Sequence, residues 1–179
     1  MVICLYGASG TELDASYLEA VERFGESLAR RGHTLLFGGG AQGLMGAAAR
    51  GAKRGGGKII GVAPTFFQKE GVLFPECDVF YPTETMRQRK QRMEELADAF
   101  VAVPGGIGTL DEWFEILTLK QLGRHEKPIA LLNLRDFYRP MLEQLALAAE
   151  QGFLKESCRT LYHVFSEGEA LLDALEREA

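Results

Sequence analysis

Two parts of the 179-residue chain hold residue types whose spacing could do chemistry. The first is a charged stretch from about residue 85 to 98. Wound as a helix, it puts Met86, Met93, Leu96 and Ala97 on one side. Arg89 lies three after Met86 and four before Met93, inside that apolar side. A guanidinium on a buried face needs an anionic partner. Glu112, a neighbouring acid or a bound phosphate could supply it; otherwise the side chain reaches past the methionines to water. Lys90 stands at the margin of the stripe. Arg87, Gln88, Gln91, Arg92, Glu94 and Glu95 cover the polar side and need only solvent.

The second part is Pro104-Gly105-Gly106-Ile107-Gly108-Thr109. Small residues let backbone amides approach an anion closely. A helix is expected to begin at about Thr109, and helix N-termini carry unpaired N–H groups and partial positive charge, where a phosphate is at home. Thr109 could cap that helix or turn its hydroxyl to a phosphate oxygen. Glu112 falls in the expected first turn. It is either a solvated charge favoured by the helix dipole or a functional carboxylate, and the apolar sequence around it favours the second. Leu110, Trp113, Phe114, Ile116, Leu117, Leu119 and Leu122 run nearly all the way round the same helix, which predicts burial on more than one side and a subunit interface.

These pieces must be positioned by an alternating framework. Short apolar runs at 2–6, 33–37, 58–62, 79–81, 99–103, 128–132 and 162–165 read as strands, several of them continuous in Val, Ile, Leu and Phe, as parallel strands covered on both faces are. Helical patterns lie between them. One runs over 14–30 with Leu18, Val21, Gly25 and Leu28 on one face and Gly32 as its stop; the last is at 167–177. The expectation is a Rossmann-like three-layer α/β fold, a mostly parallel sheet with helices on both faces, in a single domain over 1–179. Ligands of such sheets bind beyond the carboxyl ends of the strands. Gly7-Ala8-Ser9-Gly10, Gly38-Gly39-Gly40 and Pro104–Thr109 would share that edge. The irregular stretch 64–78 reads as a loop over the sheet edge or over the site.

Other chemistries fit poorly. Gly38-x-Gly40-x-x-Gly43 matches a dinucleotide fingerprint literally, but the next strand ends Gly61-Val62-Ala63-Pro64 without the acid that would hold a ribose, and the match follows the second strand. These glycines serve either phosphate contact or close helix–sheet packing. Gly57-Lys58 lacks the rest of a P-loop, and Ser9 lacks the spaced glycines of a nucleophile elbow. His33, His125 and His163, like Cys4, Cys77 and Cys158, are scattered, so neither a metal nor another cofactor is expected. The three unpaired cysteines fit a cytoplasmic location. A net charge of −5 without a basic block argues against nucleic acid, and no apolar run is long enough to span a membrane. The apolar start, 1–6, reads as a strand and not as a signal peptide.

Gly38-Gly39-Gly40 with Gly43-Leu44-Met45-Gly46, the run Met86 to Lys90, and the PGGxGTxxE pattern from Pro104 to Glu112 together resemble the LONELY GUY (LOG) family. The resemblance extends from about Cys4 to Leu154, through Gln121-Leu122-Gly123, Lys127-Pro128 and Gly152-Phe153. It implies a phosphoribohydrolase that cleaves a nucleoside 5′-monophosphate, with adenine or an N6-substituted adenine as base. It places the catalytic pair on Arg89 and Glu112, a substrate-contacting lysine on Lys90, and the phosphate loop on Gly105, Gly106, Gly108 and Thr109. Glu70 and Thr118 would be outlying substrate contacts, and Ser9 and Met86 join the substrate-binding set. It also implies a homodimer. Arg87 stands where the family often has His, and Ile107 where it often has Tyr: one adds charge at the mouth, the other removes a ring. Such chains are often labelled as possible lysine decarboxylases, but nothing here marks a Schiff-base lysine with a partner for a pyridinium nitrogen.

Overall fold

The computed structural model describes residues 1–178. Seven strands, β1 (Val2–Tyr6), β2 (Thr34–Phe37), β3 (Ile59–Pro64), β4 (Val79–Thr83), β5 (Ala99–Ala102), β6 (Ile129–Leu132) and β7 (His163–Phe165), form one sheet in the order β4-β3-β2-β1-β5-β6-β7. Every pairing is parallel. The apolar runs therefore mark the strands, and the continuous ones are the central, doubly covered strands.

Six α-helices cover the faces: α1 (Ala15–Arg30), α2 (Gly43–Arg54), α3 (Met86–Leu96), α4 (Ile107–Gln121), α5 (Arg139–Glu150) and α6 (Gly168–Glu178). Alternation within β1 splits the core. Ile3 and Leu5 pack with α1, α2 and α6, while Cys4 and Tyr6 pack with α3, α4 and the inner side of α5. Capping follows the sequence. Asp14 accepts from the Ser16 N–H at the start of α1, and Thr85 and Gln88 form a reciprocal capping box on α3.

The strand order reverses between β1 and β5, which leaves a crevice at their carboxyl ends. The loops after β1, β2 and β5 all open there. The stretch 64–78 lies over this edge, held by an antiparallel bridge between Gly40 and Leu73 and by hydrogen bonds from Ala41 N to Val72 O and from Phe74 N to Gly39 O. Among the described residues no helix is long and apolar enough to cross a membrane.

Candidate active site

A cavity of about 750 Å³ occupies the crevice. Ser9 and its neighbours line one wall, Gly106 to Thr109 another, and Arg89 and Glu112 are part of its lining. Phe67, Val72, Leu73 and Met86 make a largely apolar mouth.

Arg89 reaches inward from α3, and its Nη1 meets Glu112 Oε1 of α4 at 2.6 Å, with each side chain only 8% exposed. Its Nε donates to the Val62 carbonyl at 3.2 Å. The third side of the guanidinium rests on Gly38, where a Cβ would collide with Nη2. Gly38 is thus a place where a side chain has been left out to admit Arg89. Burial raises the Glu112 pKa above its ordinary value, and the attraction of Arg89 opposes that only in part. On β1, burial and then neighbouring Cys4 push the Tyr6 hydroxyl up, with the Glu112 charge adding to it.

The glycine loops now separate. At α2 the Ala8 carbonyl accepts from the Leu44 and Met45 N–H groups at 2.8 and 3.3 Å, and a Cβ on Gly43 would run into that carbonyl. Gly43 is therefore used for packing, while Gly38, Gly40 and Gln42 of the same run line the cavity. At α4 the first intrahelical bond is Leu110 N to Gly106 O, and the helix has no side-chain cap. The N–H groups of Ile107, Gly108 and Thr109 have no protein partner among the described residues and open beside the cavity.

Several expectations need correction. The last helix turn before Glu112 starts earlier than expected: α4 begins at Ile107 after Gly106, so Thr109 does not cap it and Glu112 sits in its second turn. Gly106 has the extended backbone of a cap, and no sequence signal of the Ser/Thr/Asp/Asn kind marks it. The buried Thr109 side chain folds back over Gly105, where a Cβ would strike it. Gly105 supports the loop from behind and does not line the cavity. Lys90 is turned to the outer side of α4, at 2.7 Å from Glu115 and 3.0 Å from Asp111. Burial lowers its pKa, but the hydrogen bonds to Glu115 and Asp111 outweigh this and raise it. Glu70 and Thr118 are exposed and do not line the cavity; Phe67, Gly71, Val72 and Leu73 of the covering loop do. No lining residue is a lysine, so among the described residues the cavity offers no Schiff-base partner. Helix α4 is buried on one side only, with Phe114 and Leu122 exposed on the other. Arg92 is not merely solvated: it lies over the Tyr81 ring at 4.5 Å.

A buried Arg–carboxylate pair facing unpartnered helix amides suits an anionic substrate whose other end reacts beside a carboxylate. Comparison with known proteins adds four findings. The profile of a family described as "Possible lysine decarboxylase" matches residues 45–175. The chain is 40% identical over 159 residues to the cytokinin riboside 5′-monophosphate phosphoribohydrolase LOG of Oryza sativa subsp. japonica, covering 89% of this chain and 66% of that one. It is 40% identical over 164 residues to the cytokinin riboside 5′-monophosphate phosphoribohydrolase of Rhodococcoides fascians, covering 89% and 81%. Among solved structures, the molybdenum cofactor carrier protein of Chlamydomonas reinhardtii matches with a TM-score of 0.74 at 26% identity, over 98% of this chain and 96% of that one.

Proposed function

This chain belongs to the LOG family, and from that membership and the cavity's geometry we propose that it hydrolyses the N-glycosidic bond of a purine nucleoside 5′-monophosphate. The products are adenine or an N6-substituted adenine and ribose 5-phosphate. The observation that carries the reading is the buried Arg89–Glu112 pair facing the free amides of α4.

The 5′-phosphate accepts from the N–H groups of Gly108 and Thr109 and their neighbours, aided by the positive end of the helix. That fixes one end of the ribose about a turn from Glu112. Cleavage of the ribosyl C–N bond builds positive charge on the sugar, as in glycoside hydrolysis. The Glu112 carboxylate stabilises that charge, orients a water at the anomeric carbon and takes its proton. Arg89 opposes in part the effect of burial on the carboxylate charge, and aims it. The C–N bonding pair leaves with the base, which takes a proton from solvent; Lys90, engaged by two carboxylates, is a poor donor. The base stacks toward Phe67, Val72 and Met86 at the mouth. No metal or organic cofactor enters this scheme.

A non-catalytic carrier is the second reading, favoured by the likeness to the molybdenum cofactor carrier. A carrier needs the cavity but has no use for a carboxylate whose burial works against its charge. Chromatography after incubation with AMP, other nucleotides and isopentenyladenosine monophosphate separates the two. Free base with ribose 5-phosphate is expected; bound but unchanged nucleotide would support the carrier. A cytoplasmic homodimer belongs to the same proposal, supported by the exposed Phe114 and Leu122 on the outer side of α4. A stable, active species of 19.7 kDa in sedimentation would count against the dimer.

A further inference from the structure

The exit from β6 is built in an unusual way. Arg135 and Asp136 are consecutive non-glycine residues in the left-handed region, at φ 51° and 60°. Such backbone persists only where surroundings enforce it. Asn133 enforces it: its backbone N–H donates to Phe165 O at 2.7 Å, its Nδ2 donates to Asp136 Oδ1 at 3.0 Å, and its Oδ1 accepts from Tyr138 N at 2.7 Å. Outside, the Arg135 guanidinium is held by Asp14 and Ser16 and lies 5.1 Å over the Tyr17 ring.

The result of this turn is the direction of one side chain. Tyr138 points inward, 2% exposed, and its hydroxyl donates to the Val103 carbonyl at 2.7 Å. Val103 is the last residue before the loop 104–106 that leads into α4. Its own N–H donates to Tyr6 O, and the next carbonyl, of Pro104, accepts from Ala8 N at 3.1 Å. The root of the loop is thus tied to β1 on one side and to the β6 exit on the other. Burial pushes the Tyr138 pKa up, so the hydroxyl stays a donor at any working pH.

We propose that Tyr138 is a positioning residue for the amide cradle, its hydroxyl setting, through Val103, where the N–H groups of 107–109 stand relative to Arg89 and Glu112. This rests on the hydrolase reading above, in which those amides hold the 5′-phosphate. The left-handed turn at Arg135 and Asp136 exists, on this view, to aim that hydroxyl.

The test is Tyr138→Phe, which keeps the ring in its apolar surroundings and removes one hydrogen bond. Product inhibition gives the readout, with ribose 5-phosphate and adenine as probes. The inhibition constant for ribose 5-phosphate should rise about tenfold, the scale of one lost hydrogen bond, while that for adenine stays within about twofold. A general loosening would weaken both alike, and so would overturn the proposal; so would two unchanged constants. Tyr162→Phe, which keeps its ring on Trp113 and does not line the cavity, is the control and should move neither. Should Tyr138→Phe fold poorly, Asp136→Ala removes the acceptor for Asn133 Nδ2 and leaves Asn133 Oδ1 on Tyr138 N. It should give the same selective loss in weaker form, and an unselective one refutes the idea. If the wild-type protein releases no base from any nucleoside monophosphate, the hydrolase reading fails and the proposal with it. If the wild type is active and Tyr138→Phe shows no selective loss, the hydrolase reading stands and only Tyr138's role is refuted.

Discussion

Replacing Glu112 by Gln keeps the shape of the side chain and removes its charge, and the two readings of that carboxylate then diverge in both rate and stability. If Glu112 orients and deprotonates the attacking water, turnover should fall by about a hundredfold or more. Stability should move the other way. A buried pair that loses one partner commonly loses several kcal/mol, which would predict a drop. Here, however, burial outweighs the attraction of Arg89 and holds the Glu112 pKa above its ordinary value. The folded protein therefore binds that proton more tightly than the unfolded chain does. Each tenfold of that bias is worth about 1.4 kcal/mol, which at neutral pH is a cost of keeping the charge. Gln removes the cost and still accepts from Arg89, whose Nε remains bonded to Val62 O. The expected melting temperature is equal to or above wild type, by about 2–4 °C for each kcal/mol relieved in a chain of this size. The sign has a pH signature. A carboxyl with a raised folded-state pKa contributes stability that is present below its unfolded value, near 4.5, and lost as pH rises through the folded value. The gain of the variant should thus be largest near neutral pH and vanish toward pH 4.5. Calorimetry from pH 4.5 to 7.5, with product chromatography on the same samples, checks both halves. A variant with near-normal turnover and a lowered melting temperature would refute the argument and leave Glu112 as a structural counter-ion of Arg89.

Arg89→Ala should lose most activity, and Arg89→Lys should restore little, because an ammonium cannot serve Glu112 and the Val62 carbonyl together; Arg92→Ala is the control and should cost no more than about 0.5–1 kcal/mol of stability, from its contact with Tyr81. Gly38→Ala adds one methyl where Nη2 lies, so turnover should fall with Arg89→Ala at an overpacking cost of about 1–3 kcal/mol, and a fully active Gly38→Ala enzyme would contradict the close fit of Arg89 on Gly38. The acid limb of kcat/KM should lie above pH 4.5, because activity falls as Glu112 takes up its proton, and a limb at ordinary carboxylate values would assign it to another group. Adenosine should turn over far more slowly than AMP even at saturation, since phosphate contacts made at α4 are spent on the transition state; equal rates would remove the role of that loop.

The framework was legible because burial writes itself into sequence. Each strand came from its apolar run to within a residue or two at its ends, and the placement of Arg89 came from its phase within a methionine stripe. What failed to show were contacts set by tertiary approach. Lys90 has the same helical phase as a cavity residue would, but Asp111 and Glu115 happen to face it from α4. Glu70 lies in a loop with no period to fix its direction. Gly38 looked like half of a phosphate motif, because the guanidinium that needs its space comes from a distant helix. The start of α4 was missed by two residues since Gly106 carries no capping side chain. Tyr138 gave no chemical signal at all: its partner is a backbone carbonyl, and any segment supplies those.

The strand order also dictates a timetable. β1 leaves the ribosome ahead of the other six strands and is the middle one of the sheet, yet its second neighbour, β5, is not synthesised until residues 99–102. While β2, β3 and β4 add outward on one side, the other edge of β1 stays open, with Cys4 and Tyr6 lacking the cover of α4. A half-made chain is therefore an unpaired apolar edge, the kind of surface that sticks to its neighbours. Arg89 is already made at that stage and Glu112 is not, so the guanidinium spends that interval without its counter-ion. The cavity closes only when residues 106–112 arrive beside Arg89, and a nucleotide that fills it would report that both halves of the sheet have met.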